Sequence, residues 1–354
     1  MFGHSPSALS GTMKWSTHMR ISSRLAVTLT ACLGLALTGC ADDGAAESGG
    51  DTIVYSPPVS GALPFLPVEV ALAKGYFEDE GLEVEKKETS PAALPAAMSS
   101  GQVDMSADVV YNSARYVESG VDVKYVAGLN DNVDFTLLRR PDVDVAAPGE
   151  GADGWKETFA SLKGLKIGTA GKGGPVGLSV AALLDQAGVG QGDFTLIDTP
   201  GSASVAALEG KQVDVVVSGG GFDAPLVQNG LAKPVLTFGD GIASVFGDQT
   251  NAALVMTASY LADNPDAAAK AQKAIATAID YIKDPANIDD VLAIATVSGT
   301  VETDALADKI ATYAYDASID VAGVEAAFAW GKSAGIITKD VDVEATIAKG
   351  VETR

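Results

Sequence analysis

Short apolar runs alternate with longer segments of helical periodicity along most of the chain. Runs rich in β-branched residues are typical of buried strands, and apolar residues that recur every three or four positions indicate helices. From residue 52 to residue 127 the pattern predicts four strands separated by three helices. The predicted strands are Thr52–Tyr55, Leu82–Glu88, Val103–Ala107 and Val123–Ala127, and the predicted helices are Leu66–Lys74, Ala92–Ser99 and Val109–Ser119.

The same alternation starts again after a Pro-, Gly- and Asp-rich stretch at Pro141–Asp153, which we interpret as a surface loop. A repeated strand-helix-strand pattern predicts parallel sheets joined by right-handed crossovers. The predicted strands are Leu165–Thr169, Phe194–Ile197, Val213–Val217 and Val235–Phe238, and the predicted helices are Val176–Ala187, Ala203–Leu208 and Ala224–Gln228.

The chain becomes richer in alanine and in helical periodicity after about residue 258. Asn264 and Pro265 open a long predicted helix that ends near Lys283. Further predicted helices are Asp289–Val297, Glu302–Tyr315 and Val321–Ser333. We expect this helical section to pack against the first of two lobes.

One phrase occurs in both halves of the chain. Residues 101–108 read GQVDMSAD and residues 211–218 read KQVDVVVS, and each phrase lies between a predicted helix and a predicted central strand. A three-residue match also arises by chance, but the matching context favours two α/β lobes of similar topology. Asp104 and Asp214 then lie at equivalent strand starts, where we expect them to be structural.

The N-terminal segment has the features of a bacterial export signal. Arg20 and Arg24 precede an apolar run that is too short to span a bilayer, and the run ends in Leu37-Thr38-Gly39-Cys40. This ending resembles a lipobox, in which the cysteine thiol receives a diacylglycerol; an ordinary secretory signal with a chance cysteine is the alternative. We expect a signal peptide at 1–39, a flexible tether at 40–50, lipidation at Cys40, and Met13 or Met19 as better start sites than Met1.

Signal cleavage would change the chemical inventory of the chain. The histidines are His4 and His18, and Cys32 is the cysteine other than Cys40, so cleavage removes all three residues. This excludes nucleophiles activated by histidine and zinc sites built on imidazole or thiolate. The net charge of −22 and the absence of a basic block exclude nucleic-acid binding. We therefore predict no cofactor, no metal and no nucleic-acid partner.

Candidate binding residues follow from the sheet pattern, because open parallel sheets bind ligands beyond the carboxyl ends of their strands. In the first lobe the loops after the strands supply Ser60, Gly61, Ala62, Phe65, Ser90, Asp108 and Tyr111. In the second lobe they supply Gly171, Lys172, Gly173, Ser202, Ser218, Gly219 and Phe222.

Three of these loops have alternative interpretations. Residues 169–174 (TAGKGG) precede the helix opened by Pro175, and the backbone amides, the helix start and Lys172 favour an anion, although a tight turn without a ligand is as good a reading. Asp108 either accepts a hydrogen bond from a ligand amine or, as we favour, caps the next helix. The three glycines 219–221 form either a ligand contact or a simple hinge or loop.

The order of several motifs resembles one family. The run FLPVEVALAKGYFEDEGLEVE at 65–85, SLKGLKIGTAG at 161–171, ALEGKQVDVVV at 207–217 and the Asn264-Pro265 helix are similar to solute-binding proteins for sulfonates, nitrate, taurine and thiamine precursors. The pyrimidine-synthase branch of that family carries a CCCFC motif and a working histidine, and this chain lacks both after residue 40.

The resemblance implies an α/β periplasmic-binding-protein fold of type II, with two doubly wound lobes, a hinge and a ligand cleft. The expected divisions are 51–138 for the first part of lobe 1, 139–242 for lobe 2 and 243–354 for the return to lobe 1. It further implies a monomeric, lipid-anchored extracytoplasmic receptor, not an enzyme, that closes on a small organic anion, sulfonates first, and delivers it to an ABC permease. The alternatives are a receptor for a thiamine or pyrimidine precursor, a ligand sensor without transport, and an enzyme built on the same fold.

Overall fold

Two five-stranded sheets organise the part of the chain that the computed structural model describes, which is residues 52–90, 93–131, 133–299 and 305–354. The predicted signal peptide, the tether and Cys40 lie outside the described residues. The first elements are β1 (Ile53–Tyr55), α1 (Leu66–Lys74), α2 (Tyr76–Asp79), β2 (Val84–Lys86), α3 (Leu94–Ser99), β3 (Met105–Val109), α4 (Val110–Glu118) and β4 (Val123–Asn130).

The chain then enters the second sheet and later returns to the first. The second set is β5 (Thr136–Arg139), α5 (Trp155–Ala160), β6 (Lys166–Thr169), α6 (Pro175–Gln186), β7 (Thr195–Asp198), α7 (Ala203–Glu209), β8 (Val215–Ser218), α8 (Ala224–Gln228), β9 (Lys233–Thr237), α9 (Phe238–Gly241) and α10 (Ala243–Phe246). The return set is β10 (Ala252–Thr257), α11 (Ala258–Asp263), α12 (Ala267–Lys283), α13 (Ile288–Val297), α14 (Leu306–Thr312), α15 (Val321–Ser333) and α16 (Val343–Thr346).

The two sheets have matching strand orders, β2-β1-β3-β10-β4 and β7-β6-β8-β5-β9. The prediction of two α/β lobes is confirmed, but the prediction of purely parallel sheets is wrong. β10 runs antiparallel to β3 and β4, and β5 runs antiparallel to β8 and β9. The sequence pattern did not indicate β5 or β10, because the chain enters each of them from the other lobe and no crossover helix marks them.

Two adjacent segments connect the lobes, one between β4 and β5 and the other between α10 and β10. The Asn251 backbone N–H donates to the Asn130 carbonyl at 3.0 Å, and the two side chains are joined at 2.7 Å. The two connections between the lobes therefore lie side by side. The division at 138 and 242 stays a prediction, and the sheets assign β5 to the second lobe and β10 to the first.

The repeated Gln-Val-Asp phrase has the same structural role in both lobes. Asp104 donates its backbone N–H to the Val54 carbonyl at 2.9 Å and accepts the Val54 N–H on its carboxylate at 3.0 Å. Asp214 makes the same pair of bonds with Lys166, at 2.8 and 2.9 Å. Each aspartate therefore joins the start of one strand to the neighbouring strand, and the expectation that both are structural is confirmed.

Aromatic packing joins the second lobe to the C-terminal helices. Phe238 stacks on Phe246 with ring centroids 5.5 Å apart, and Phe246 contacts Trp330 of α15 at 4.9 Å. The buried alanines and isoleucines of α12 pack against α1 and β4 on the other side of the first sheet. No helix among the described residues is long and apolar enough to cross a membrane.

Candidate functional site

The loops that follow β1 and β8 meet between the lobes. The Leu63 N–H donates to the Gly220 carbonyl at 3.1 Å, and a Cβ on Gly220 would lie 3.4 Å from the Ala62 Cβ. Gly220 has a φ of +62°, a conformation that L side chains rarely adopt, so both its backbone and its close neighbour favour glycine. We call the contact between residues 56–65 and 218–223 the interlobe seam. It brings the predicted residue Ala62 to the loop that contains Gly219, whereas Gly61 lies beside Gly299, which follows α13.

Asp134, in the first connection between the lobes, holds the second-lobe side of the seam. Its Oδ2 atom accepts the Gly220 N–H at 2.6 Å and also accepts the hydroxyl of Tyr313. Burial raises the pKa of Asp134 above its ordinary value. Because the two donors come from different lobes, this carboxylate ties the seam to the C-terminal section of the chain.

A second link across the seam comes from residues 309–315. Lys309 pairs with Asp223 at 2.5 Å, and both side chains are largely shielded from solvent. The ring of Tyr315 stacks on Tyr313 at 5.3 Å, and its hydroxyl donates to the Leu63 carbonyl at 2.8 Å. Sequence reasoning missed this segment, since it lies far along the chain from either loop of the seam.

The lobes also touch beside the start of α6. The Arg115 guanidinium donates to the Gly173 carbonyl at 3.0 Å, and the Ser179 hydroxyl donates to the Tyr111 hydroxyl at 3.0 Å. The predicted residues Tyr111 and Gly173 are therefore both at a contact between lobes. Tyr111 is buried, and this burial raises the pKa of its hydroxyl.

The glycine loop before α6 is a closed turn. The Lys172 backbone N–H donates to the Asp198 carboxylate at 2.7 Å, and Gly174 donates to the Gly171 carbonyl at 3.1 Å. A Cβ on Gly177 would lie only 2.4 Å from the Gly171 oxygen, so the helix packs directly on this turn. The Asp198 carboxylate therefore already occupies the Lys172 backbone amide, one of the groups that we predicted to bind an anion. This observation favours the interpretation of the loop as a tight turn without a ligand. The Lys172 side chain is exposed.

Asp108 does not cap α4, so the capping prediction is wrong. The helix starts at Val110 with Val109 as its N-cap, and Asp108 ends up buried within β3. Its carboxylate accepts the Asn112 side chain and the Val109 N–H, both at 2.7 Å, and also the Tyr116 hydroxyl. Burial, only partly offset by these donors, raises the pKa of Asp108 to about 6.

The other predicted residues occupy varied positions. Phe65 is buried in the core of the first lobe, whereas Ser90 and Ser202 are exposed. Ser60 donates to the Glu88 carboxylate at 2.8 Å, which joins the loop after β1 to the end of β2. Ser218 is the last residue of β8 and is half-buried, as is Phe222, whose ring lies 3.7 Å from the position of a Cβ on Gly201.

Sequence reasoning did not select three buried hydroxyl groups at strand ends. The Tyr55 and Ser56 hydroxyls at the end of β1 and the Thr169 hydroxyl at the end of β6 are buried and have no hydrogen-bond partner. β1 and β6 occupy equivalent places in the two sheets. Tyr55 and Thr169 are the last residues of their strands and Ser56 follows directly after β1, and this position was the available signal. The missing partners could be seen only in three dimensions.

A separate groove of about 770 Å³ lies at the edge of the first lobe, between the end of β2 and α3. Its lining includes Lys87, Glu88 and Thr89, together with the alanines of α3. Glu88 of this lining accepts a hydrogen bond from Ser60, but the loops after β1 and β8 meet only in the interlobe seam, so we place the candidate site there. The described residues contain no group of three or more potential metal-ligating histidine, cysteine or acidic side chains.

The chain is similar over part of its length to a yeast enzyme. The 4-amino-5-hydroxymethyl-2-methylpyrimidine phosphate synthase THI13 of Saccharomyces cerevisiae is 29% identical over 147 residues, which are 41% of this chain. The chain thus spans only 40% of the length of that relative. The expectation that the chain is not an enzyme is wrong on this comparison, because the relatives that it matches carry the name of a synthase.

Solved structures of binding proteins have the same fold. The periplasmic aliphatic sulphonate binding protein SsuA from Escherichia coli superimposes with a TM-score of 0.65 at 14% identity, covering 85% of this chain and 98% of that chain. The periplasmic nitrate-binding protein NrtA from Synechocystis PCC 6803 superimposes with a TM-score of 0.63 at 17% identity, covering 85% of this chain and 86% of that chain. The predicted periplasmic-binding-protein fold is therefore confirmed.

One family model matches more than half of the sequence. The matched residues are 64–288, which run from the loop after β1, through the whole second lobe, to the start of α13. They include both connections between the lobes and the second-lobe side of the seam, residues 218–223. The chain therefore belongs to the NMT1/THI5-like family.

Proposed function

We propose that this protein captures a small solute in the interlobe seam by closure of its two lobes and delivers it to an ABC permease. The observation that carries the proposal is the meeting of the loops after β1 and β8, where Leu63 and Gly220 are directly bonded. Ligands of open α/β sheets bind at such strand ends, and closure about two adjacent connections is a common hinge motion. The fold of the solved binding proteins supports the same role.

A pyrimidine precursor is the solute that we favour. The family and the yeast relative, whose name contains an aminopyrimidine, support this class. The charges around Asp134 agree with it, because Lys309 is bonded to Asp223, so that two carboxylates share this cation. A site with excess negative charge favours neutral or cationic ligands over anions.

A sulfonate or nitrate is the second candidate. The solved structures of SsuA and NrtA favour it at the level of fold, and the exposed Lys172 beside the start of α6 supplies a cation. The sulfonate preference expected from the sequence therefore stays a prediction.

The cellular setting is part of the proposal. The lipobox-like sequence around Cys40 supports a lipid anchor on the extracytoplasmic face of the membrane, and we propose that the anchored protein is a monomer. A Cys40→Ser variant should appear in the soluble fraction, and retention of that variant in washed membranes would contradict the anchor. A permease and an ATPase encoded beside this chain would support transport, and a neighbouring kinase would support sensing.

Calorimetric and thermal-shift titrations of the purified protein test the proposed function. The probes are 4-amino-5-hydroxymethyl-2-methylpyrimidine, ethanesulfonate and nitrate. A ligand present at 100 times its dissociation constant stabilises the folded state by about 2.7 kcal/mol. Saturable binding of the pyrimidine supports the favoured form, and binding of ethanesulfonate or nitrate alone supports the second candidate. Chromatography of the same samples reports whether the ligand is also converted.

A further inference from the structure

The Oδ1 atom of Asp134 is buried and has no hydrogen-bond partner. Asp134 lies in the first connection between the lobes, beside Gly220 of the interlobe seam. Folded proteins pair nearly all buried polar groups, so this oxygen is a candidate for a ligand contact.

The two oxygens of Asp134 have unequal environments. Oδ2 accepts two hydrogen bonds, from Gly220 and Tyr313, whereas Oδ1 is buried and accepts none. An unpaired buried acceptor costs about 1–3 kcal/mol, and more when it is charged. A ligand that donates one N–H to Oδ1 would remove this cost.

The surrounding charges exclude an anion at this atom. Among the charges that act on Asp134, Lys309 is the cation with the largest effect. Lys309 is, however, bonded to Asp223, whose carboxylate adds a second negative charge. An anionic ligand group beside Oδ1 would meet net repulsion. A neutral amino group or an ammonium would meet attraction and would supply the missing donor.

The unmet acceptor and the negative charges around it fit an uncharged or cationic ligand that presents an N–H, such as an amino-substituted nitrogen heterocycle of the class proposed above.

The geometry points to Asp134 as the residue that determines ligand specificity, with Oδ1 accepting an N–H of an amino-substituted heterocycle. This inference rests on the proposed function, because it places the ligand in the same seam. It goes further by naming the atom that distinguishes an amino group from a carbonyl at the same ring position.

An Asp134→Asn variant tests the assignment by reversing one hydrogen bond. Gly220 and Tyr313 require an acceptor, so the amide oxygen takes the place of Oδ2 and the NH₂ group takes the place of Oδ1. The variant should bind 4-amino-5-hydroxymethyl-2-methylpyrimidine about 10- to 100-fold more weakly than wild type. Its affinity for the 4-oxo counterpart, which offers an acceptor, should rise relative to wild type.

A Tyr313→Phe variant is the matched control, because it removes a donor to Oδ2 and leaves Oδ1 unchanged. The ratio of its affinity for the 4-amino pyrimidine to its affinity for the 4-oxo counterpart should equal that of wild type. If Asp134→Asn keeps the wild-type ratio, or if Tyr313→Phe changes the ratio as much, the assignment is overturned.

A ligand series on wild type gives a test that needs no variant. The analogue with hydrogen in place of the 4-amino group should bind at least about tenfold more weakly, and equal affinity would overturn the role of Asp134. Binding of ethanesulfonate or nitrate with no pyrimidine binding would instead overturn the favoured ligand class, so the two failures are distinguishable.

Discussion

At the scale of single residues, burial decides which of the predicted side chains are available to a ligand. Asp108 was read from the sequence as a helix cap or a ligand acceptor, and the fold instead buries it among Asn112, Tyr116 and the backbone of Val109. The sequence pattern predicted that the helix starts at Val109, so that Asp108 would be its N-cap. In the structure α4 starts at Val110 with Val109 as its N-cap, and Asp108 lies one residue before the cap. The seam acceptor Asp134 gave no sequence signal at all, because its importance depends on Gly220 and Tyr313, far away in the chain.

Asp108 should make the stability of the protein depend on pH. Its pKa is about 6 in the folded protein and near 3.8 when unfolded, so the folded state holds the proton more tightly. Raising the pH from 4 to 7 should therefore cost wild type about 2 kcal/mol of unfolding free energy relative to Asp108→Asn, which cannot ionise. Urea unfolding of both proteins at pH 4, 5, 6 and 7 measures this difference.

The control for that experiment is Asp185→Asn, which changes an exposed aspartate of α6 that shares none of these contacts. Its difference from wild type should stay nearly constant over the same pH range. A constant difference for Asp108→Asn as well would contradict the buried, raised-pKa carboxyl.

At the scale of elements, the alternating pattern located most strands and helices, and the bounds of α1, α8 and α15 agree with the sequence prediction residue for residue. The elements that it missed, β5 and β10, are the strands that receive the chain from the other lobe. Their antiparallel pairing is a long-range feature that no local periodicity contains. The same local pattern located the candidate loops after the strands. It did not indicate that the hydroxyls of Tyr55, Ser56 and Thr169 would be buried without hydrogen-bond partners.

The equivalence of the two Gln-Val-Asp phrases predicts matched effects of mutation. Asp104→Ala and Asp214→Ala should each destabilise the protein by about 1–3 kcal/mol, because each leaves a strand N–H, of Val54 or Lys166, without its acceptor. Asp214→Ala should lie at the upper end, since Asp214 also pairs with Arg140 at 3.2 Å. Chemical denaturation measures both losses.

The asparagine variants at the same two positions are the controls, because they keep an acceptor oxygen and should recover part of the stability. A loss confined to one position would contradict the equivalent roles of the two phrases.

At the scale of the whole molecule, polar contacts join the lobes in addition to the aromatic packing of Phe246 on Trp330. The Lys309–Asp223 pair, the Asp134 bonds and the Arg115–Gly173 bond join surfaces that would separate in the hinge opening that we propose. Such contacts would stabilise a closed form only modestly, which fits the reversible capture proposed above.

Lys309→Met should therefore weaken ligand binding without unfolding either lobe. Because a partly shielded ion pair contributes on the order of 1 kcal/mol, the affinity for the aminopyrimidine should fall up to about fivefold. Calorimetric titration measures the affinity, and denaturation should show a much smaller change in stability. Lys332→Met is the matched control, since Lys332 pairs with Asp340 away from the seam, and its affinity should equal that of wild type.

Small-angle X-ray scattering of the purified protein, with and without saturating 4-amino-5-hydroxymethyl-2-methylpyrimidine, tests most directly whether the lobes close on a small solute. The account predicts a smaller radius of gyration in the presence of the ligand and a transition complete at one molecule per chain. An unchanged radius of gyration with the pyrimidine, ethanesulfonate and nitrate alike would contradict it.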